Sequence, residues 1–540
     1  MSRIGTVRLL APPSGPKRRA RRGRNRQCIV LPMSRFLAPL FLALAAQALS
    51  AQQPAPHASP APAPGLLRQG ERLLDAEDPV LAMESFRMLA TEPGAREDAR
   101  LGIGKVHLML GQADLALAQV EDVLRARPGD TEALALFVRS LIRARRFEDA
   151  VEHGNDAVTH AQAPTAELLA ASASSLFRVQ RTSAAADRYR AVLGLDPLHA
   201  EANLRLGSGL SEPVEVAACN DLAAADQMRQ RGRVTQAIGL LQRVAARGSN
   251  PVAHRLLGEA LYQQRWEGSM AARERSFRLL DNRLPDPVVP AGVSEFLVGH
   301  EQLTGRRRLV ADRALALFGR HLPRILAIGG RHDLLGAVER TTDHWSRRSL
   351  RGTRTFDGRV WDDVRGIGGL RAATGLEALD EAERFGFDTL VHEIAHQVHY
   401  YGLGQRDRIQ IRRLYETAEQ EGRFLDYYAA TNEAEYFAQG VEAFASLAKR
   451  PGCESTHCHT RFELFRKDPA LHEFIRKVVD VDVLANSSAR EGLLEAAAEV
   501  ALRCGRREDA EVAVEWMAPG PVRERIASRV QLAGVLADGR

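Results

Sequence analysis

Hydrophobic positions from about Leu66 to residue 285 recur at the three- and four-residue spacing of amphipathic helices. Prolines interrupt this pattern at spacings of 35, 36 and 33 residues, at Pro93, Pro128, Pro164 and Pro197. Because proline ends a helix, these regular interruptions predict helix hairpins with a period of about 34 residues. We therefore expect residues 66–285 to form a helical solenoid.

Small residues recur inside this array at a fixed offset. Gly111 and Ala116 are five residues apart, as are Gly232 and Ala237. A small side chain lets the second helix of a hairpin lie close to the first. The pattern resembles the tetratricopeptide repeat family, although its large aromatic positions are mostly missing here. The resemblance implies a concave surface that binds a peptide or protein partner. The alternative is a packing scaffold for the next domain.

The N-terminal region has the layout of an export signal. Residues 36–49 read FLAPLFLALAAQAL, with basic residues before them and the small residues Ser50 and Ala51 after them. Such a run is typical of a secretory signal peptide and is short for a membrane span. We predict a basic leader and signal peptide over 1–51 and a Pro/Ala-rich linker over 52–65. The protein would be exported, to the periplasm or outside the cell, with no membrane span after cleavage. An uncleaved anchor is the alternative.

Composition excludes several classes of protein. The 540 residues are 45% hydrophobic and 26% charged, which is ordinary for a folded soluble protein and not for a collagen-like or disordered chain. The net charge is +6, but residues 1–51 carry ten Lys and Arg residues and no acidic residue. The remainder has 64 basic and 68 acidic residues and is mildly acidic. We therefore expect no nucleic-acid partner.

A different pattern follows the proline-rich linker at 286–290. Residues 388–399 read DTLVHEIAHQVH, with no Pro or Gly and with apolar residues at helical spacing. On a helix, His392 and His396 lie one turn apart on one face, where their imidazoles can hold a zinc ion. Glu393 lies beside them and can act as the base on a water molecule. The alternative is an ordinary helix with surface histidines.

Carboxylates for a third ligand follow in residues 427–444, YYAATNEAEYFAQGVEAF. Asn432 can cap a new helix, which would carry Glu433, Glu435 and Glu442. Because Glu435 and Glu442 are seven residues apart, they share a helix face, so one can bind the metal while the other orients a ligand histidine. Two histidines and one carboxylate leave one position for water. The spacing alone leaves open which glutamate is the ligand.

The HEIAH motif at 392–396 and the TNEAEYFA segment at 431–438, with Tyr428 before it, resemble the anthrax lethal factor group of metallopeptidases. They are also similar to the Mlc titration factor peptidases. The resemblance covers about residues 386–480 and implies a zincin-type α+β domain, which we place at 286–484. It implies one Zn²⁺ per chain, Glu435 as the third ligand and Tyr428 as a group that assists the transition state. It does not extend to a toxin role.

The remaining candidates lie around this core. His399 does not complete the metzincin motif, so it and Glu442 are candidates for supporting the ligands, with the surface as the alternative for His399. The resemblance implies that β-prone Thr355–Trp361 forms a sheet edge, whereas the glycine cluster Arg365–Gly369 predicts a turn.

Two predictions concern the C-terminal part of the chain. In an exported protein Cys453 and Cys458 are close enough for a disulfide, the alternative being a second metal site over residues 453–459. Gly505 and Ala510 repeat the five-residue offset and predict a C-terminal helical hairpin over 485–540 that docks on the array or caps it.

The sequence thus predicts a mainly α protein in which a helical solenoid precedes an α+β metallopeptidase domain. The expected function is that of an exported zinc metalloendopeptidase acting on a peptide or protein substrate, with the repeats binding substrate or a partner. The alternative is a catalytically inactive, repeat-based protein-binding scaffold with a structural zincin domain.

Overall fold

A computed structural model describes residues 64–210, 220–248, 250–270, 274–355, 357–451, 458–485 and 487–538. The predicted leader and most of the predicted linker lie outside these residues. All the described residues belong to one compact unit, Ser59–Arg540. Within them, no helix has the length and apolar character needed to cross a membrane.

Helix hairpins form the first part of the chain. The helices are α1 Pro64–Asp75, α2 Pro79–Leu89, α3 Arg96–Met109, α4 Ala113–Ala126, α5 Thr131–Arg143, α6 Phe147–His160, α7 Ala166–Arg178, α8 Thr182–Leu195, α9 Ala200–Arg205, α10 Asn220–Gln230, α11 Val234–Ala245, α12 Pro251–Met270 and α13 Glu274–Arg283. Each helix packs on the next from α1 to α9 and from α10 to α12. Pro128 and Pro197 follow the ends of α4 and α8, as predicted. The predicted helical solenoid is confirmed at the level of repeated hairpins.

A residue with left-handed backbone marks the turn inside each of the first four hairpins. The φ angle is +49° at Glu77, +78° at Gly111, +63° at Arg145 and +61° at Gln180. Five positions after each of them lies an alanine with no exposed surface, namely Ala82, Ala116, Ala150 and Ala185. The period of about 34 residues is therefore a property of the backbone at these turns. Only one of the four turn residues is a glycine.

A small mixed sheet follows the array. Its strands are β1 Leu297–Val298, β2 Arg331–Leu335, β3 Gly366–Ile367 and β4 Arg371–Gly375, in the order β1-β2-β4-β3. The first three in that order are parallel, with His332 opposite Ala372, and β3 is antiparallel to β4, with Ile367 opposite Ala373.

Short and long helices surround this sheet. They are α14 Val293–Phe296, α15 Gly305–Ala316, α16 Leu322–Ala327, α17 Glu377–Glu383, α18 Thr389–Gln397, α19 Gln405–Glu421, α20 Glu433–Ala445, α21 Arg461–Lys467 and α22 Pro469–Val478. One apolar core joins them, and it includes Leu390 and Ile394 of α18 and Phe437 of α20. Residues 293–478 are therefore an α+β region with its own core.

The strand at the edge of the sheet next to β4 is β3, not the segment predicted from the sequence. Among its described residues, the segment predicted as the edge strand, Thr355–Trp361, contributes only Val360, which forms an isolated bridge with the preceding Arg354. The glycine cluster predicted as a turn supplies β3, at Gly366–Ile367, and also the turn to β4, where Gly369 has a φ of +116°. Two residues of strand carry too little alternation to be recognised from sequence. The prediction of an edge strand at Thr355–Trp361 is therefore wrong, whereas the turn predicted in the glycine cluster is present between β3 and β4.

The predicted C-terminal hairpin is present as α23 Ser487–Arg503 and α24 Arg507–Trp516, with left-handed Gly505 in its turn and Ala510 buried, and a third helix, α25 Pro521–Asp538, follows it. Their core includes Phe277 and Leu280 of α13, so this last helix of the predicted array packs with the C-terminal helices. The turn at Gly505 lies against the array, because a Cβ there would be 2.6 Å from Leu110 Cδ2. The predicted docking of the tail on the array is confirmed.

The turns of the hairpins meet the rest of the protein. Arg450 Nη1 lies 3.3 Å from Glu77 Oε1 in the first turn. Val360 N donates to Gly209 O, 2.8 Å away, in the turn after α9. These contacts show that one edge of the array is a packing surface for the α+β region, which is the scaffold role that the sequence left open.

The turn geometry predicts opposite effects for two reciprocal substitutions. Arg145→Gly should stabilise the protein by a few tenths to about 1 kcal/mol, because glycine adopts a left-handed backbone without the penalty of a side chain. Gly111→Ala should destabilise it by about 1 kcal/mol for the same reason. Urea unfolding followed by circular dichroism measures both. Destabilisation by Arg145→Gly would contradict the account.

Candidate metal centre

Helix α18 carries the three residues of the predicted motif. The Asp388 carboxylate caps it by accepting a hydrogen bond from Val391 N at 3.0 Å. His392, Glu393 and His396 are all buried, with 5%, 8% and 8% of their surfaces exposed. The alternative of surface histidines is therefore wrong.

A buried histidine of the sheet fixes the C-terminal end of α18. Gln397 Nε2 donates to Arg331 O at 3.0 Å, so its Oε1 is free to accept from His332 Nδ1 at 2.9 Å. His332 Nε2 then accepts from the Thr374 hydroxyl at 2.9 Å. Burial lowers the pKa of His332 to about 4, which keeps the ring neutral. Sequence reasoning missed His332 and Gln397. Gln397 is a polar residue within the helical pattern of α18, whereas His332 lies between Arg331 and Asp333, where nothing in the local sequence marks it.

A buried ion pair fixes the N-terminal end of α18. Glu442 Oε1 accepts from Asp388 N at 3.0 Å and pairs with Lys449 Nζ, which also donates to Gly386 O at 2.7 Å. Glu442 has no exposed surface. These bonds hold the start of α18. Glu442 therefore supports the helix that bears the two histidines, and none of these bonds is to a histidine.

The third candidate ligand comes from α20. Asn432 caps this helix as predicted, accepting from Ala434 N and Glu435 N at 2.9 and 3.0 Å. Glu435 Oε2 then lies 3.2 Å from His392 Nε2 and 3.4 Å from His396 Nε2. The two imidazole nitrogens are 3.0 Å apart. Three donor atoms thus converge on one point between α18 and α20.

These distances fit a zinc ion. Bonds of about 2.0 Å to zinc in a tetrahedron place neighbouring ligand atoms about 3.3 Å apart, close to the spacing observed here. Glu435 Oε2 is buried and has no hydrogen-bond partner of normal geometry. A buried carboxylate oxygen without a partner is costly unless a cation satisfies it. The donor set and its spacing therefore suit a metal.

Electrostatics within the cluster point the same way. Burial opposes ionisation of Glu435, but the two imidazoles outweigh it and hold the pKa of Glu435 far below its usual range. Burial acts against the protonated form of His392, yet Glu435 outweighs it and the pKa of His392 is raised. Glu435 is therefore ionised at neutral pH, and its negative charge favours a cation between the three side chains. Burial raises the pKa of Glu393, which suits a group that takes up a proton.

Glu433, the remaining candidate ligand, forms an ion pair outside the cluster. Glu433 faces Arg412, with oxygen to nitrogen distances of 2.8 and 3.2 Å. Its side chain is therefore paired with an exposed arginine of α19. The geometry thus separates Glu435 from Glu433 and Glu442, which spacing alone did not.

Tyr428 is half-buried in the loop before α20. Burial, followed by the charge of Glu435, raises the pKa of Tyr428 well above its usual range, and Glu393 acts in the same direction. Its hydroxyl therefore remains a proton donor at neutral pH.

His399 is buried, with 1% of its surface exposed, so the surface alternative for it is wrong. Its ring centroid lies 4.9 Å from that of Tyr400 and 5.6 Å from that of Phe437. Burial lowers the pKa of His399 to about 4. These contacts pack the segment that follows α18 against α20.

Strand β3 borders the centre. A Cβ at Gly366 would lie 2.6 Å from Glu393 Oε1, and one at Gly368 would lie 3.5 Å from Glu393 Oε2. The glycines of the cluster at 365–369 therefore leave room for the Glu393 carboxylate. The sequence showed the glycines but not what they approach.

The cysteine segment lies partly outside the described residues, which include Cys458 but not Cys453. Cys458 is disulfide-bonded. His459 lies between two carboxylates, with Nε2 2.9 Å from Asp426 Oδ2 and Nδ1 3.0 Å from Glu463 Oε2. Burial opposes its protonation, but Glu463 and Asp426 outweigh burial and raise the pKa of His459 to about 9. A charged imidazole between two carboxylates argues against the second metal site.

No family model matches the chain, and no curated protein matches it significantly. A structure from the functional characterisation of Pseudomonas aeruginosa pilF is 15% identical and covers 40% of this chain and 90% of its own, with a TM-score of 0.25. The crystal structure of the P58(IPK) TPR domain is 13% identical and covers 88% of this chain and 99% of its own, with a TM-score of 0.17. Scores this low carry no argument, so the repeat assignment depends on the hairpins and turns described above.

The ligand assignment predicts a contrast between two glutamates of α20. Glu435→Ala should weaken zinc binding by at least about 100-fold, because losing a ligand costs more than losing a partner of a ligand. Glu433→Ala, the matched control, should bind zinc as the wild type does. Competition with a chromogenic chelator measures both affinities. Equal affinities in the two variants would contradict the assignment.

The cap of α18 predicts a pH-dependent effect. Burial raises the pKa of Asp388 to about 6 from the ordinary 3.8, against the opposing bond from Val391 N. A raised pKa in the folded state means that stability is lost as pH rises from about 4 to above 6.

Asn caps a helix without titrating. Asp388→Asn should therefore gain stability relative to wild type over this pH range, by roughly 1–2 kcal/mol, and level off above it. Asp388→Ala should lose about 1 kcal/mol through the missing cap near pH 4, and this difference should shift with pH in the same direction as for Asp388→Asn, because alanine does not titrate either. Urea unfolding between pH 4 and 8 tests this, and an Asn-to-Asp difference that is constant with pH would contradict it.

Proposed function

We propose that the protein is a zinc-dependent metallopeptidase. The observation that carries the proposal is the convergence of His392 Nε2, His396 Nε2 and Glu435 Oε2 within 3.4 Å of one another, beside the buried Glu393. This arrangement agrees with the resemblance of the HEIAH and TNEAEYFA motifs to the lethal factor group. The repeats in this proposal support the peptidase region and bind substrate or a partner.

The residues of the centre have distinct roles in this proposal. His392, His396 and Glu435 would hold the zinc ion. When bound, zinc supplies a Lewis acid that polarises a carbonyl group and makes water acidic enough to react near neutral pH. Glu393 takes the proton from the attacking water and passes it to the leaving amine, and its raised pKa suits both steps. The protonated Tyr428 hydroxyl donates a hydrogen bond to the developing oxyanion.

A peptide substrate is favoured by the sheet beside the centre. Strand β3 is at one end of the sheet order, and among the described residues it pairs only with β4. Its other edge can pair with an extended peptide, which is a common way to bind a main chain irrespective of its side chains. Since Gly366 and Gly368 lie beside Glu393, a peptide on this edge would pass the proposed base.

The rival proposal is a protein-binding scaffold with an inactive peptidase-like region. The packing of the hairpin turns on the α+β region is compatible with either role. Export to the periplasm or beyond remains a prediction from the N-terminal sequence. The two proposals differ in the role of Glu393, which acts as a general base only in the peptidase.

Hydrolysis of a diverse peptide mixture by protein starting at Gln52 tests the proposal, with Glu393→Gln as the matched control. The wild type should cleave and hold one zinc, whereas Glu393→Gln should hold zinc and lose at least about 100-fold in turnover, the usual contribution of a general base. Mass spectrometry of the products and metal analysis measure both. Zinc binding without cleavage, or equal cleavage by the two proteins, would contradict the proposal.

A further inference from the structure

The loop between α19 and α20 carries Tyr428, and the repeat array contacts this loop directly. The residue before it, Tyr427, packs edge-on against Phe147 at the start of α6, with ring centroids 5.1 Å apart and planes at 75°. Arg178 at the end of α7 donates from Nη1 to the Tyr427 hydroxyl. The same guanidinium lies 5.4 Å from the centroid of the Tyr427 ring. Two successive hairpins of the array thus hold one tyrosine.

Tyr428 follows directly after the residue that the array holds. Tyr427 and Tyr428 are neighbours in a loop outside any regular element, and their rings are perpendicular, with centroids 6.5 Å apart. The peptidase region fixes this loop at other points, through Ala429 N to Asp426 Oδ1 at 2.8 Å and Tyr415 hydroxyl to Ala430 O at 2.9 Å. The side chain of Tyr427 itself is fixed by the array.

A second contact of the array reaches another side of the centre. The segment 358–360 contacts the array twice. Val360 N donates to Gly209 O, and Gly358 lies so close to α8 that a Cβ on it would be 2.6 Å from Thr182 Oγ1. Between these two positions lies Arg359, whose charge acts on both Glu393 and Tyr428. The array therefore touches two loops that lie beside the centre.

We propose that Phe147 and Arg178 are positioning residues, through which the repeat array fixes Tyr427 and so places the Tyr428 hydroxyl for catalysis. This inference rests on the proposed peptidase function. It gives the array a part in building the catalytic site, separate from any binding of a partner. A displacement of about 1 Å in such a group can reduce turnover about 100-fold, so contacts that hold the loop have a large effect.

Four variants separate positioning from general folding. Arg178→Met removes the hydrogen bond and the charge but keeps most of the bulk, whereas Arg178→Lys retains a cationic donor. Tyr427→Phe keeps the ring and removes the acceptor. Arg181→Met is the matched control, because Arg181 is an exposed residue in the same turn and makes no side-chain capping bond.

Two readouts are needed, one of them independent of activity. The first is kcat and KM on the best peptide found in the mixture, together with zinc content. The second is amide hydrogen exchange of the peptides that cover residues 424–432, in the zinc-loaded full chain. We expect Arg178→Met to lower kcat roughly 10- to 100-fold with KM and zinc content unchanged, and to speed exchange in this loop. Arg178→Lys should restore much of the loss, and Arg181→Met should behave as the wild type.

The contact itself is tested by combining the variants. Arg178→Met with Tyr427→Phe should lower kcat no further than the stronger single variant, because both remove the same bond. Effects that multiply would overturn the inference, as would unchanged exchange of the loop in Arg178→Met, or faster exchange with unchanged kcat. If the wild type cleaves no peptide, the proposed function fails, and exchange of the loop still decides whether the array holds it.

Discussion

The structure around the centre depends on one unfavourable arrangement, a buried carboxylate and two imidazole nitrogens held within 3.4 Å of one another. Without a cation between them, the lone pairs of the carboxylate oxygen and of the imidazole nitrogens repel one another or share protons. The surrounding protein must therefore hold these three side chains in place. Both ends of α18 are therefore pinned, by Asp388 and Glu442 at one end and by Gln397 and His332 at the other. A fold that restrains its donors in this way suits a cation at the point where they meet.

The local features of this centre were readable from sequence. The HEIAH motif, the apolar spacing of α18 and the cap at Asn432 are all short-range patterns, and each has the structure that its pattern indicates. The hairpins of the array were found for the same reason, through proline and small residues at a regular period. The turns were predictable only in part. Glu77, Arg145 and Gln180 adopt a left-handed backbone, which sequence analysis expects at glycine and not at these residue types.

What the sequence could not show are contacts between distant segments. The glycine cluster predicts the turn between β3 and β4 but not strand β3 itself, since a strand of two residues is defined by its partner β4 and not by its own residues. Arg178 and Tyr427 are 249 residues apart, and nothing in either local sequence links them. His332 reads as an ordinary polar residue until its strand lies beneath α18. These contacts connect the array, the sheet and the centre, and they decide where the catalytic groups lie.

X-ray absorption spectroscopy at the zinc edge of the purified full chain tests the central claim most directly. The account predicts one zinc per chain with only nitrogen and oxygen neighbours at about 2.0–2.1 Å, including two imidazoles recognised by their outer-shell scattering. Loss of the signal in His396→Ala would attribute it to α18. Sulfur neighbours at about 2.3 Å, or zinc with a single imidazole, would contradict the account.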